Sequence, residues 1–274
     1  MDDTTRRMPA PDPLTPARGL GLTAHGVSDC GPVRTSNEDA FAVDLEIGLF
    51  VVADGMGGHA AGEIASRLAI ESISAFMTRS DGEEDLTWPF GFDGSVSAAA
   101  NRLRTALHLA NQRVLRAAAS DPAYSGMGST VVAALFTASS VVVCHAGDSR
   151  VYQHANGRLT PLTADDSLLA ALGGAVALSS DAQAQHPLRN VVTNVLGGDQ
   201  RLEVHVSERP RGPGTRLLLC SDGVHGVLDD GRIGGIRASA ADPKSQAERL
   251  VAEAIAAGGR DNATALVVAD LEAA

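Results

Sequence analysis

Aromatic residues, cysteines and long apolar runs are all scarce in this chain of 274 residues. Only 3% of the residues are aromatic, so an interior must be built from aliphatic side chains such as Val, Leu, Ile and Ala. The three cysteines are too few for a disulfide framework, and none stands in a Cys-x-x-Cys or Cys/His pattern of zinc spacing. No apolar run approaches the ~20 residues that span a bilayer. We therefore expect a soluble protein of the reducing cytoplasm.

Basic residues are outnumbered, with 22 Lys and Arg against 33 Asp and Glu and a formal net charge of -11. Proteins that bind nucleic acids need clusters of Lys and Arg to displace counterions, and aromatic side chains to stack on single strands. The composition therefore excludes a broad nucleic-acid surface. It leaves open a phosphate ligand held at one cation-filled pocket.

The composition also predicts one folded domain. With 44% hydrophobic and 20% charged residues, the chain can bury a sizeable core, and its length is that of one large domain. Residues 1–20 are polar and contain Pro9, Pro11, Pro13 and Pro16, which predicts a flexible tail ahead of a domain over residues 21–274. No internal repeat and no linker divides that domain.

Hydrophobic periodicity predicts both strands and helices. Short Val- and Leu-rich runs predict strands over residues 49–53, 130–136, 140–146, 216–220 and 263–271, and helical spacing predicts helices over residues 60–77, 95–119 and 244–256. Asn156-Gly157 predicts a tight hairpin. Strands in groups, without regular βαβ alternation, favour an α+β domain with antiparallel sheets over a doubly wound parallel sheet. Residues 164–199 lack a clear period and predict an irregular, partly helical insertion.

Four aspartates stand beside Gly or Asn where an apolar strand begins or ends: Asp54, Asp148, Asp222 and Asp261. Taken singly, an Asp-Gly pair after a strand is often only a turn signal. Four of them, together with the acidic pair Glu38-Asp39, point instead to a site. Converging carboxylates repel one another unless cations neutralise them, and oxygen ligands without Cys or His select Mg or Mn rather than Zn.

Seven motifs, in chain order, resemble those of the metal-dependent serine/threonine protein phosphatases, the PPM or type 2C family, in its bacterial form. They extend over most of the stretch from Gly26 to Val268 and read VRTSNEDAF, VVADGMGGHAAGEIAS, GMGST, HAGDSRVY, HPLRNVVTNVLG, LLLCSDGV and GRDNAT. One Asp-Gly-x-Gly-Gly string would be a weak signal. Seven motifs in order are a strong one.

The resemblance implies a fold and a site. The fold is an α-β-β-α sandwich, two packed antiparallel β-sheets flanked by helices, with residues 164–199 as a flap. Two Mg or Mn ions are implied, with a third and weaker one, held by Glu38, Asp54, Gly55, Asp148, Asp222 and Asp261. In this scheme Asp54 bridges the two main ions, Asp148 and Asp222 hold the third, Arg34 grips the substrate phosphate and Asp39 hydrogen-bonds water on the metal.

The implied activity is hydrolysis of phosphoserine and phosphothreonine in proteins by water activated between the ions. No covalent phosphoenzyme is implied, so Cys144 and Cys220 need no nucleophilic role. Met56 stands where many eukaryotic members have a His, so either water on the metal or another residue, such as His59, protonates the leaving group; we expect the former. Asp166 stands where the family commonly has the His of Asp-His-Ser, which puts substrate selection and the flap position in question.

The implied partners are phosphorylated proteins and an opposing bacterial serine/threonine kinase, with no nucleic acid, no membrane and a monomeric state. Two other functions stay open. One is a non-catalytic module that recognises phosphoproteins, and the other is a phosphatase of small phosphomonoesters. The complete set of acids favours an enzyme, whereas the metal centre itself does not choose the leaving group.

Overall fold

Two antiparallel β-sheets form the centre of the computed structural model, which describes residues 20–58, 61–83, 86–173, 188, 191–212, 214–239 and 242–271. Within these residues, the first sheet has the strand order β1-β11-β10-β7-β8, and the second has β2-β3-β5-β6-β9 with β4 paired to β3. The strands are β1 (Leu22–Asp29), β2 (Asp39–Asp44), β3 (Leu49–Met56), β4 (Gly128–Ser129), β5 (Val131–Phe136), β6 (Ser140–Ala146), β7 (Arg150–Ala155), β8 (Arg158–Pro161), β9 (His205–Pro210), β10 (Arg216–Cys220) and β11 (Ala263–Asp270).

Helices cover the outer face of each sheet. They are α1 (Ala61–Arg79), α2 (Ala98–Ser120), α3 (Leu168–Gly173), α4 (Asp222–His225), α5 (Asp230–Ser239) and α6 (Pro243–Ala256), with a 3-10 turn at Pro122–Tyr124. Helices α1 and α2 pack on the second sheet, and α6 packs on β1 and β11 of the first. The predicted α-β-β-α sandwich is confirmed. No helix within the described ranges is long and apolar enough to cross a bilayer.

The interior is aliphatic, as the scarcity of aromatic residues requires. Val, Leu and Ala side chains fill the space between the sheets, where the rings of Phe50 and Phe136 meet edge to face at 5.7 Å. Separate clusters of buried aliphatic residues lie between each sheet and its helices. Each fully buried Val or Leu contributes roughly 1.5–3 kcal/mol to the stability of the folded state. These layers therefore make the two sheets a stable base for the loops at their ends.

The long buried strands β5, β6, β10 and β11 agree with the sequence prediction, and so does the partly exposed hairpin of β7 and β8. Strands β6 and β10 have the predicted bounds, and the hairpin turns at Asn156 and Gly157, both with positive φ. Four strands were not predicted: β1 and β2, which mix buried and partly exposed positions, β9, which has no buried residue, and β4, which is only two residues long. The apolar run of β2 is only four residues long and lies between two aspartates, and β1, β4 and β9 contain no apolar run of that length.

The first and last strands are neighbours in the first sheet. Strand β1 pairs with β11 in antiparallel register from Leu22↔Asp270 to Asp29↔Ala263. Because β11 is also paired with β10, the loop that contains Asp261 meets the end of β10, where Asp222 begins α4. The tail over residues 1–20 lies almost entirely outside the described residues, as do residues 174–187 and 189–190 of the insertion.

Candidate metal centre

Loops from both sheets converge on a cavity of about 260 Å³ at one end of the sandwich. The cavity is lined by Arg34, Glu38, Asp54, Gly55, Met56, Gly57, Thr130, Asp148, Val192, Asp222 and Asp261. Every residue that the sequence predicts for the site is therefore on this wall except Asp39, which is buried beside it. His59 lies outside the described residues. The structure brings the predicted residues together, and their individual roles stay predictions.

Asp54 is fixed by strand pairing on both sides. The sequence suggested that the chain leaves the core at this residue, but β3 continues to Met56 because β4 pairs with its last residues. Thr130 donates its backbone N–H to the Asp54 carbonyl across 2.9 Å, and Ser129 Oγ donates to the same carbonyl across 3.0 Å. With its backbone held in this way, Asp54 presents its carboxylate to the cavity.

The acids of the cavity repel one another. Burial raises the pKa of Asp54 well above its ordinary value, and the charges of Asp39, Asp222 and Asp148 raise it further. Burial also raises the pKa of Asp222, with Asp261 as the next cause, and burial raises that of Glu38. A set of carboxylates whose ionised forms are so disfavoured needs cations to stay charged at neutral pH.

Asp39 lies on β2 directly opposite Asp54, and its side chain is buried. Its Oδ2 accepts hydrogen bonds from Ser221 Oγ at 2.8 Å and from Thr264 Oγ1 at 2.6 Å. Its Oδ1 is buried without a hydrogen-bond partner among the described residues. Burial raises the pKa of this carboxyl to about 7. An orphaned oxygen of this kind requires a proton, water or a cation close by.

Arg34 stands at the mouth of the cavity. Its Nη2 donates to Asp261 Oδ2 across 2.7 Å, and both side chains are about half exposed, at 51% and 42%. The guanidinium therefore faces both the acids and the solvent, where a phosphate group could enter.

Asn262 was not singled out from the sequence, although it lies within the GRDNAT motif. Its Oδ1 accepts the backbone N–H of Glu38 at 2.8 Å, and its Nδ2 donates to the carbonyls of Cys30 and Ser36. One buried amide thus fastens the loop that contains Arg34 and Glu38 to the loop that contains Asp261. Ser221 and Thr264 were missed in the same way, each next to or near a predicted acid.

Asp148 lies in the turn between β6 and β7 and is buried. Burial raises its pKa to about 7, and the charge of Asp222 adds to this. The preceding Gly147 has φ +107, and a Cβ there would meet Thr130 at 2.6 Å, so this turn requires glycine. His225 lies 3.0 Å from the Asp148 carbonyl through its Nε2.

Asp166, the departure from the common family pattern, holds this turn in place. Its Oδ2 accepts hydrogen bonds from the Gly147 N–H at 2.9 Å and from Asn194 Nδ2 at 2.7 Å. The Asp166 N–H donates to the Gly147 carbonyl at 3.0 Å. Neighbouring Asp165 forms a two-fold ion pair with Arg150. Through these hydrogen bonds, Asp166 connects both described ends of the insertion over residues 164–199 to the turn that contains Asp148.

Comparison with protein families matches residues 33–264 to the family described as Protein phosphatase 2C. The chain belongs to this family. The serine/threonine phosphatase stp of Listeria welshimeri is 33% identical over 251 residues, which are 88% of this chain and 93% of that protein. The crystal structure of the Mycobacterium tuberculosis serine/threonine phosphatase PstP/Ppp is 33% identical, with a TM-score of 0.79 over 92% of this chain and 99% of that one. The PstP catalytic domain in complex with two manganese ions is 30% identical, with a TM-score of 0.77 over 90% of this chain and 97% of that one.

The site of this phosphatase 2C chain fits hard divalent ions. The described residues of the cavity wall offer carboxylate oxygens and neither thiol nor imidazole, which is the donor set that Mg and Mn prefer. Burial, with mutual repulsion added, raises the pKa values of Asp54, Asp148 and Asp222, and burial raises that of Glu38, a cost that bound cations relieve. The burial of Cys144 and Cys220 raises the pKa of both thiols, which supports the prediction that neither acts as a nucleophile.

Proposed function

We propose that this protein is a Mg- or Mn-dependent serine/threonine phosphatase that hydrolyses phosphoserine and phosphothreonine in proteins. The observation that carries the proposal is the convergence of Glu38, Asp54, Asp222 and Asp261 on one cavity with Arg34 at its mouth. When bound, the divalent ions supply Lewis-acid stabilisation of the phosphoryl oxygens and lower the pKa of the attacking water.

Different residues of the cavity bind different metal ions in this proposal. We infer that Asp54 and the Gly55 carbonyl, with Glu38, Asp222 and Asp261, hold two ions. Asp148 and Asp222 are placed to hold a third and weaker one. The same assignment of roles is implied by the family resemblance.

Arg34 suits the substrate phosphate because a planar guanidinium can donate two parallel hydrogen bonds to it. Asp39, buried beside Asp54, has a free oxygen that can accept a hydrogen bond from water in the centre. Met56 and Val192 are the apolar side chains among the described residues of the cavity wall.

Several wider features belong to the same proposal. We infer that the substrates are phosphorylated proteins, that a bacterial serine/threonine kinase opposes the enzyme, and that the enzyme is a cytoplasmic monomer. Residues 164–199 would act as a flap beside the cavity. The position of Val192 on the cavity wall supports this, because that residue follows the undescribed part of the insertion.

The test is hydrolysis of a phosphothreonine peptide in Mn²⁺, in Mg²⁺ and after chelation by EDTA. Asp54→Asn should abolish activity, whereas the matched control Asp230→Asn, an exposed acid on α5, should keep it. Activity that survives EDTA or Asp54→Asn would contradict the metal mechanism. A wild-type protein that binds the phosphopeptide but never hydrolyses it would support the non-catalytic module.

A second comparison separates protein substrates from small ones. The kcat/KM for a phosphopeptide should exceed that for p-nitrophenyl phosphate or a sugar phosphate. The reverse order would favour a phosphatase of small phosphomonoesters.

A further inference from the structure

Three metal-ligating side chains meet behind the Asp148 turn, outside the acidic cavity. They are His145 on β6, Asp166 ahead of α3, and His205 on β9. One donor atom from each residue lies within 4.8 Å of the other two. The two imidazole rings are stacked, with their centroids 4.8 Å apart and their planes at 29°. None of the three residues lines the cavity described above.

Among the described residues, the His145 ring makes one hydrogen bond, through Nε2, which leaves Nδ1 to bind a metal. Its Nε2 lies 2.9 Å from the carbonyl oxygen of Ala164, which can only accept, so Nε2 carries the proton. Burial lowers the pKa of His145, which keeps the ring neutral and leaves a lone pair on Nδ1. A ligating histidine usually donates its other N–H to a backbone carbonyl or carboxylate in this way.

Asp166 has one oxygen for structure and one for a ligand. Its Oδ2 accepts from Gly147 and Asn194, as described above, whereas its Oδ1 lies 2.8 Å from His205 Nε2. A divalent ion that replaces the hydrogen between these two atoms would keep the Oδ2 contacts intact. The His205 side chain is 36% exposed, which gives an ion a route from solvent and leaves room for a water ligand.

We propose that His145, Asp166 and His205 form a second metal site, which binds Zn²⁺, or Co²⁺ in its place, with water completing the coordination shell. Two imidazoles and one carboxylate are a borderline-soft donor set that favours zinc-like ions over Mg or Mn. Two ligand atoms that each lie ~2.0–2.2 Å from a tetrahedral zinc are ~3.3 Å from one another. The donor atoms of the three side chains lie within 4.8 Å of one another, so each pair would have to approach by at most about 1.5 Å to bind zinc.

The proposed site would tie together three parts of the fold, independently of whether the acidic cavity is catalytic. It bridges the edge strand β9 and its neighbour β6. Through Asp166, whose carbonyl accepts from Thr193 N–H at 2.8 Å and from its hydroxyl at 3.0 Å, it also reaches the far end of the insertion. An ion here would therefore restrain both described ends of residues 164–199.

The test compares Co²⁺ binding by the wild-type protein and by His205→Gln, in the presence of excess Mg²⁺ to fill the acidic centre. Gln can still donate a hydrogen bond to Asp166 but has no imidazole. His108→Gln is the matched control, because His108 is a half-buried histidine on α2 that stacks on Phe90 away from the cluster. Binding is followed by isothermal titration and by the visible absorption bands of Co²⁺ with nitrogen ligands.

We expect the wild type and His108→Gln to bind one more Co²⁺ than His205→Gln, or to bind it at least roughly tenfold more tightly. Equal stoichiometry and affinity in all three proteins would overturn the proposal. Anomalous diffraction from wild-type crystals soaked in ZnCl₂ gives a test that no variant's folding can affect. A zinc peak between the three side chains supports the site, and zinc confined to the acidic cavity overturns it.

Discussion

Arg34 and Asp261 form an ion pair with 2.7 Å between Nη2 and Oδ2. The residue proposed to bind the substrate phosphate is therefore paired with a residue proposed to bind a metal ion. A cation at Asp261 must compete with this guanidinium. Because both side chains are about half exposed, the pair is worth no more than about 1 kcal/mol. The Arg34 guanidinium should therefore weaken metal binding at Asp261 only modestly, and removing it should strengthen that binding by a measurable amount.

Arg34→Gln should strengthen Mn²⁺ binding by up to about fivefold, since the competing positive charge is gone. The same change should raise KM for a phosphopeptide because the guanidinium no longer binds phosphate. Titration calorimetry and steady-state kinetics measure the two effects. Arg67→Gln is the control, an exposed arginine paired with Glu71 on α1. Unchanged metal affinity together with unchanged KM would show that Arg34 has neither role.

Asp39→Asn should separate function from stability. The substitution removes a buried carboxyl whose pKa burial raises to about 7, so the chelated protein at about pH 8 should be at least as stable as the wild type. Turnover of a phosphopeptide should nevertheless fall roughly 10- to 100-fold. Asp44→Asn, at the other end of β2, should change neither property. Full turnover in Asp39→Asn would remove the residue from the proposed site.

Gly55→Ala should destabilise the protein, because a Cβ at this position would collide with the Gly62 carbonyl and lie 2.7 Å from the Glu38 carbonyl. The expected loss is about 1–3 kcal/mol in the free energy of unfolding, with weaker metal binding. Chemical denaturation and Mn²⁺ titration measure both. Gly58→Ala is the matched control, since a Cβ there meets no atom of the described residues within 4 Å. Equal stability of the two variants would argue against close packing around Gly55 at the end of β3.

The stability of the metal-free protein should fall as the pH rises from about 4 to about 7. An unfolded Asp has a pKa near 3.9, whereas burial raises that of folded Asp148 to about 7. Between these values the folded state binds more protons than the unfolded state, so ∂ΔG/∂pH for unfolding is negative. Asp148 alone would contribute on the order of 1–4 kcal/mol.

Urea denaturation across this range, in EDTA, measures the slope. Asp148→Asn should make it shallower, and added Mn²⁺ should do the same in the wild type by compensating the charges. A stability that instead rises steadily with pH in the chelated wild type would contradict the raised carboxyl pKa values.

The acidic cavity could be predicted from the sequence because its ligands stand next to patterned strands. Asp54 follows the buried apolar residues of β3, Asp222 lies just after β10 and Asp261 just before β11, and such apolar runs are the easiest elements to recognise. Asn262, Ser221 and Thr264 were within quoted motifs but escaped notice. Their importance depends on hydrogen bonds between segments more than 180 positions apart, such as the one from Ser221 to Asp39, and no local pattern encodes these.

The histidine cluster could not have been found in the same way. Its members are separated by 21 and 39 positions, and one of them lies on the exposed edge strand β9, which was itself not predicted. The spacing of the three residues in the sequence is not that of a zinc motif. They come together because the pairing between β6 and β9 places His145 opposite His205. The bounds of β3 were missed for a related reason, since only pairing with the short strand β4 extends it past Asp54.

The pairing of β1 with β11 also constrains when the protein can become active during its own synthesis. Strand β11 occupies an interior place in the first sheet, and Asp261 and Asn262 directly precede it. A nascent chain whose strand β11 is still inside the ribosome lacks both a central strand of the first sheet and one wall of the acidic cavity. We therefore expect the cavity to be complete only after residues 261–270 have left the ribosome.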